Sequence, residues 1–522
     1  MTTKRTELAG SHRPEPEGAV VIGEPGVDET VTTTVYLRNP VPMHAVPGSA
    51  ADLEALARPT TRRELAERRA VEYERAAATI TRFAARHDLA IHDVDLAGRR
   101  LTLHGPTARM ARAFGTSLRV YDDGRRRFRS HSGPLSIPHD VEPWMQAVLG
   151  LDHRPVVRRR LASLAQAGAG EGLWPREVAG LYGILADDGL GMQCVGLIAL
   201  GGGYLPSDLE AAAANMGVPV PVVIAKSVAG ATNDFGGGTA ADAELALDLQ
   251  VVAGVAPGVR VVIYFAANDL RSLAEAIHQA VFDDVNRPQV LSISWGSAER
   301  FWSESARAAV QSALADAVRL RISVVAASGD FLATGGLVDG AAHVFFPGSS
   351  PYVLGCGGTQ VTLGAPGAQI ANESVWNDGF TGTGGGISDV FATPTYQTDL
   401  VLPPSVNDGG RRRGVPDVAA VAGPHPGYRV IVNGESIVKD GTSAATPLWA
   451  GILALANARR AQPVGFVNPV LYAAPTLCRQ ITEGNNRVGP IGYDAGPGWN
   501  ACAGLGVPRG AEIAETLVNR AP

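Results

Sequence analysis

Long apolar runs are missing from this chain. Its 522 residues contain no stretch of about eighteen apolar residues, so no membrane-spanning helix is expected. The N-terminus, Met1-Thr-Thr-Lys-Arg-Thr-Glu-Leu-Ala-Gly-Ser-His12, has no apolar core and carries no ordinary secretory signal. Cysteine is scarce, and 4 residues of it do not fix a redox compartment. Of the 11 histidines, only His278, His343 and His425 follow residue 160, and none of them precedes Gly-Thr. Lysine and arginine are absent from 228 to 259. The arginine triplets 125–127, 158–160 and 411–413 lack interleaved aromatics and sit in a chain of net charge −6, which argues against nucleic-acid binding.

What remains describes an ordinary globular protein, with 45% hydrophobic and 18% charged residues. Its length suggests two or three domains. The 62 glycines and 35 prolines imply many turns. Residues 1–30, rich in Glu, Pro, Gly and Thr, are predicted to be disordered. In 31–150, strand-like runs (31–38, 89–95, 99–104, 116–121) alternate with helix-like runs (50–58, 64–88, 106–114). That order predicts a βαββαβ, ferredoxin-like α+β unit. Residues 151–172 turn basic, then small, as a linker does. In 173–522, apolar β-runs (194–200, 260–265, 289–294, 322–327) alternate with helical stretches (208–216, 240–254, 270–283, 301–318). This predicts an α/β domain with a parallel sheet and helices on both faces. Charge divides at the same place. Residues 1–170 hold 25 basic against 20 acidic residues, the remainder 20 against 31. This split suggests electrostatic docking of the two parts that weakens as carboxylates protonate; the alternative is that linear charge counts say little about an interface.

Three local patterns carry chemistry. Gly441-Thr442-Ser443-Ala-Ala-Thr-Pro447 is how subtilisin-like folds present a nucleophilic serine, on a glycine turn entering a helix. No histidine is suitably placed to activate it, so a histidine triad is poorly supported. Ala-Asp-Ala-Glu244-Leu-Ala-Leu-Asp248 supplies another base. At i, i+4 both carboxylates leave one helix face, with β-carbons about 5–6 Å apart. In apolar surroundings such a pair shares a proton. An i, i+4 acidic pair is ordinarily a solvated helix face, and the lone Ser443 changes that balance. Ser-Val-Val-Ala-Ala-Ser-Gly-Asp330 ends an apolar run and puts Asp330 at the carboxyl end of a parallel strand, where α/β folds bind ligands. A turn aspartate is the plain alternative. As an oxyanion donor Asp330 must be protonated.

With these four residues the chain resembles the sedolisins, the serine-carboxyl peptidases, and most closely the kumamolisin-type enzymes with an N-terminal prodomain. Further fragments fit, among them Val290-Leu-Ser-Ile-Ser294-Trp295-Gly296, Ser350-Pro-Tyr-Val-Leu-Gly-Cys-Gly-Gly-Thr359 and Gly414-Val-Pro-Asp417. The resemblance spans about residue 30 to the C-terminus. It implies a subtilisin-like catalytic domain behind an activation prodomain, and an acid-active endopeptidase made as a zymogen. Ser443 would be the nucleophile, Glu244 the general acid/base supported by Asp248, and Asp330 the oxyanion donor. Ser294, Trp295, Gly441 and Thr442 would support them. Protein or peptide substrates, inhibition by its own prodomain, self-cleavage in 158–172, secretion and a monomeric state follow as expectations.

Three departures from the family stand out. Ala199 occupies a position where many relatives have Glu linked through the tryptophan matched by Trp295, which removes an outer hydrogen-bond link. The family's calcium positions fall on Gln480, Ile481, Gly496, Gly498 and Asn500, where two carboxylates have become amides. Affinity follows carboxylate count, so no metal is expected unless Glu483 or Asp494 turns inward. Cys478 and Cys502 flank that loop, and a disulfide between them could close it instead. Phe345-Phe346-Pro347 has Phe where relatives can place Asp near the substrate cleft, which would favour apolar side chains; a buried aromatic with no substrate role is the alternative. A non-catalytic relative, or an esterase with a histidine triad, remains as an alternative. The intact quartet opposes the first, and the missing histidine and Gly-x-Ser-x-Gly oppose the second.

Overall fold

The computed structural model describes residues 4–39, 46–55, 60–156, 172–184, 190–364 and 369–520. Within 31–150, strands β1 (Thr30–Leu37), β2 (Ala90–Asp95), β3 (Arg100–Pro106) and β4 (Met145–Leu149) form an antiparallel sheet in the order β2-β3-β1-β4. Helices α1 (Arg62–Glu72), α2 (Glu74–Arg86) and α3 (Thr107–Phe114) complete the ferredoxin-like pattern. The predicted run 64–88 is broken at Tyr73, and α1 begins with a Thr61–Glu64 capping box.

The fourth strand differs from expectation. The run near 116–121 forms strand Arg119–Asp122, which joins Val20–Gly23 and Arg127–Ser130 in a separate sheet, and Met145–Leu149 takes its place beside β1. The expected disorder of 1–30 is also corrected for the described residues. Arg5–Glu7 pairs with Ser136–Pro138, Leu8 is fully buried, and the Arg13 guanidinium grips buried Asp152 at 2.7 Å. A few well-placed anchors hold a segment whose composition alone could not. The expected cleavage stretch lies outside the described residues, apart from Gly172.

The larger domain is built on strands β5 (Cys194–Leu200), β6 (Val223–Ser227), β7 (Arg260–Ala266), β8 (Val290–Ile293), β9 (Ser323–Ala327), β10 (Leu354–Leu363), β11 (Ile370–Val375) and β12 (Val418–Val421). Their order is β6-β7-β5-β8-β9-β10-β11, with β12 also pairing β10. All pairs are parallel except β10–β11. Every residue of β5, β8, β9 and β12 is buried, as expected of parallel strands covered on both faces. Helices α4 (Ala240–Val255), α5 (Leu270–Phe282), α6 (Glu304–Arg319) and α7 (Thr442–Ala458) flank this sheet.

Alternation in the smaller sheet gives it two apolar faces. Val31, Val35 and Leu37 join Ile80, Phe83 and Phe114 in its own core, while Tyr36, Ala147 and Leu149 merge with the core of the larger domain. Charge complements this contact. Arg69 clamps Asp316 of α6 through two bonds of 3.0 and 2.6 Å, and Arg99 reaches the same carboxylate at 2.9 Å. Asp316 is only 1% exposed. Arg62 donates to the carbonyls of Val281 and Pro288 at 2.7 and 2.9 Å.

Candidate active site

Helix α7 opens at the Gly-Thr-Ser turn. Gly441 sits at its N-cap with φ +122°, where a Cβ would lie 3.1 Å from Asp330 Oδ2. Only glycine combines that backbone angle with that approach. Ser443 follows two residues later and is buried. Pro447, four residues on, has no N–H to give the Ser443 carbonyl. That carbonyl instead lies 3.4 Å from Ser294 Oγ, whose hydroxyl donates a 2.6 Å bond to Asp248 Oδ1. Ser294 thus stands between the buried carboxylate and the backbone of the serine.

Glu244 and Asp248 lie one turn apart on α4, as their spacing predicted, with Glu244 half-buried and Asp248 buried. Helices α4 and α7 pack together, and Gly451 allows it: a Cβ there would come within 2.5 Å of Val255 Cγ1. The start of α4 is fixed by Asp242, a fully buried carboxylate that sequence reasoning passed over. It accepts from the N–H groups of Gly203 (2.7 Å), Gly236 (3.1 Å), Gly238 (3.1 Å) and Thr239 (2.7 Å), and from Thr239 Oγ1 (2.8 Å). Its signal was the Thr239-x-x-Asp242 capping pattern.

Asp330 stands three residues past β9, half-buried beside the turn of α7. Thr442 donates to its Oδ1 twice, from N–H and Oγ1, each at 2.7 Å. The Gly382 N–H donates to its carbonyl at 3.0 Å. Burial raises the Asp330 pKa to about 6. The Thr442 bonds pull it down, and the charges of Glu244 and Asp440 push it up again. Asp440, also missed, lies between the strand Glu435–Lys439 and Gly441 and is half-buried. Burial raises its own pKa, as do the charges of Asp378 and Glu244, against a lowering by Lys439. Trp295 is buried next to Ser294, and Ala199 is fully buried within β5.

A cleft of about 700 Å³ runs between the two domains, lined by Arg13, Arg126 and Arg154 on one side and by Gly296, Phe331 and Phe345 on the other. The anticipated Cys478–Cys502 disulfide is absent. Both thiols are free, Cys478 on a strand paired with Val507–Pro508 and Cys502 directed at the Tyr493 carbonyl, 3.2 Å away. Burial pushes each of these thiols up to about 12 and raises those of Cys194 and Cys356 as well. Among the described residues, no group of three His, Cys, Asp or Glu side chains could hold a metal ion. No described helix is long and apolar enough to cross a membrane.

The sheet, its flanking helices and the Gly-Thr-Ser turn define a serine peptidase of subtilisin-like fold, and the subtilase family model matches residues 223–469. The model of the pro-kumamolisin activation domain matches residues 50–154. Kumamolisin of Bacillus sp. (strain MN-32) is 39% identical across 99% of this chain and 96% of its own. Tripeptidyl-peptidase sed5 of Aspergillus fumigatus is 27% identical over 98% of this chain and 97% of its own. The structure of Pseudomonas sedolisin, a serine-carboxyl proteinase complexed with two molecules of pseudo-iodotyrostatin, superposes with TM-score 0.61 at 25% identity, covering 68% of this chain and all of that one. The chain belongs to the sedolisin family, among its kumamolisin-like members, and is a serine-carboxyl peptidase made as a zymogen. Residues 50–154 are its intramolecular activation domain.

Proposed function

We propose that this zymogen yields an acid-active endopeptidase whose base is Glu244. Ser443 attacks the peptide carbonyl, and Glu244 takes its proton and returns it to the leaving amine, with Asp248 behind it. Protonated Asp330 donates to the oxyanion. One observation carries the reading. Asp330 is held by Thr442 beside Ser443, with its pKa raised to about 6, so below that pH it is a neutral donor. Its Oδ1 is taken by Thr442, which leaves Oδ2 for the catalytic proton.

Ser294 anchors Asp248 and the Ser443 backbone, while Gly441 and Thr442 shape the turn. Phe331 and Phe345 line the interdomain cleft and suit apolar substrate side chains. Self-cleavage in 158–172, as acid loosens the prodomain, would release the enzyme. The test is kcat/KM against pH on a protein substrate, for wild type, Glu244→Ala and Ser443→Ala. An acid optimum lost in both variants is expected. A neutral optimum, or activity surviving Glu244→Ala, overturns the mechanism. The tripeptidyl-peptidase relative motivates a second reading, release of N-terminal tripeptides. Cleavage of N-terminally blocked peptides separates the two, because only the endopeptidase accepts them.

A further inference from the structure

Asn500 lies in the loop where the family resemblance places calcium, and it is 6% exposed. Its side-chain Nδ2 donates to the carbonyls of Ile481 at 2.9 Å and Gly496 at 3.2 Å. Its Oδ1 accepts from the N–H groups of Cys502 at 3.2 Å and Ala503 at 3.0 Å. Both donors and both acceptor positions of the carboxamide are therefore used. The partners also set its orientation. A flipped amide would face two N–H groups with its NH2 and two carbonyls with its oxygen.

Calcium requires converging oxygens with free lone pairs. Here the Ile481 and Gly496 carbonyls already receive amide protons from Asn500. Gln480 Oε1 accepts from the Gly498 N–H at 3.0 Å. The two nearby acids do not compensate. Asp494 is bound by Arg487 through two 2.7 Å bonds, and Glu483 accepts from Asn372 at 3.3 Å. The donor set does not fit the ion.

We propose that the Asn500 carboxamide stands in for the cation, so that this loop is held by two N–H donors and the protein is independent of calcium. An aspartate at the same place would keep both N–H partners on Oδ1 but turn Oδ2 against two carbonyl oxygens. At the pH of the test a bound cation would relieve that repulsion, as protonation of the carboxylate would at lower pH. Asn500, with the Gln480 amide beside it, thus holds the loop without a metal.

The experiment uses the full chain carrying Ser443→Ala, which prevents self-cleavage, with and without Asn500→Asp. Thermal midpoints are measured near pH 6 in EDTA and in calcium chloride, alongside calorimetric titration with calcium chloride. The Asn500 protein is expected to melt at the same temperature in both and to give no binding heat. Asn500→Asp is expected to fall by on the order of 5 °C in EDTA and to recover in calcium. A calcium-raised midpoint or a binding isotherm for the Asn500 protein overturns the proposal. So does an Asn500→Asp protein that is destabilised yet indifferent to calcium. If Asn500→Asp does not fold, the two measurements on the Asn500 protein still decide.

Discussion

Replacing Asp330 with asparagine separates the donor from its proton. Asparagine offers an N–H at every pH, whereas Asp330 offers one only while protonated, and its pKa is raised to about 6 by burial. At about pH 7.5 only about one wild-type molecule in 30 keeps that proton. Losing one oxyanion donor costs about 100–1000-fold in kcat, and an ionised carboxylate would also repel the developing charge. The ratio of kcat/KM for Asp330→Asn to that of wild type should therefore climb about 30-fold between pH 4 and pH 7.5. Ratios cancel the titration of shared groups not coupled to Asp330, so the rise reports Asp330 and the charges it interacts with. The assay is initial-rate cleavage of one quenched peptide in overlapping buffers. A ratio that stays flat across that range refutes the assignment of Asp330 as a titrating oxyanion donor.

Asp440→Asn removes one of the two charges that push Asp330 upward, and should move the alkaline fall of kcat/KM on the order of half a pH unit toward acid. Asp316→Ala strands the buried guanidiniums of Arg69 and Arg99, at a cost of about 3–5 kcal/mol to docking, so that gel analysis should show the zymogen processing at higher pH than wild type. His278 lies under the prodomain, its ring 5.2 Å from that of Tyr36, and its pKa is held well below the usual value by burial and by the charges of Arg100 and Arg99. A depressed docked pKa means the undocked state binds more protons, so docking is strongest above about pH 6.5 and weakens up to tenfold per pH unit below it. His278→Gln should then need more acid to process. An unchanged processing pH would remove His278 from the switch.

The four candidate site residues could be placed from sequence because each sits in a local pattern. A turn presents Ser443, one helical period joins Glu244 to Asp248, and a strand end delivers Asp330. Everything decided by tertiary contact was harder to read. Met145–Leu149 is short and follows Pro143, so the more β-like 119–122 took its place in the sequence reading, although its partners are Val20–Gly23 and Arg127–Ser130. Leu8 and Arg13 order a segment whose average composition predicted disorder. Asp440 matters only because the fold sets it near Asp378, Glu244 and Asp330. The Cys478–Cys502 pairing rested on both residues flanking one loop, and sequence position said nothing of where each thiol points.

Those thiols have a practical meaning of their own. All four are free and buried, and their raised pKa values keep the thiolate scarce. Folding therefore owes nothing to oxidation. The chain should reach the same structure in a reducing cytoplasm or an oxidising exterior, and native protein should stay unlabelled by iodoacetamide until it is unfolded. On the proposed mechanism acidity is the cue for this enzyme, and redox history should leave no mark.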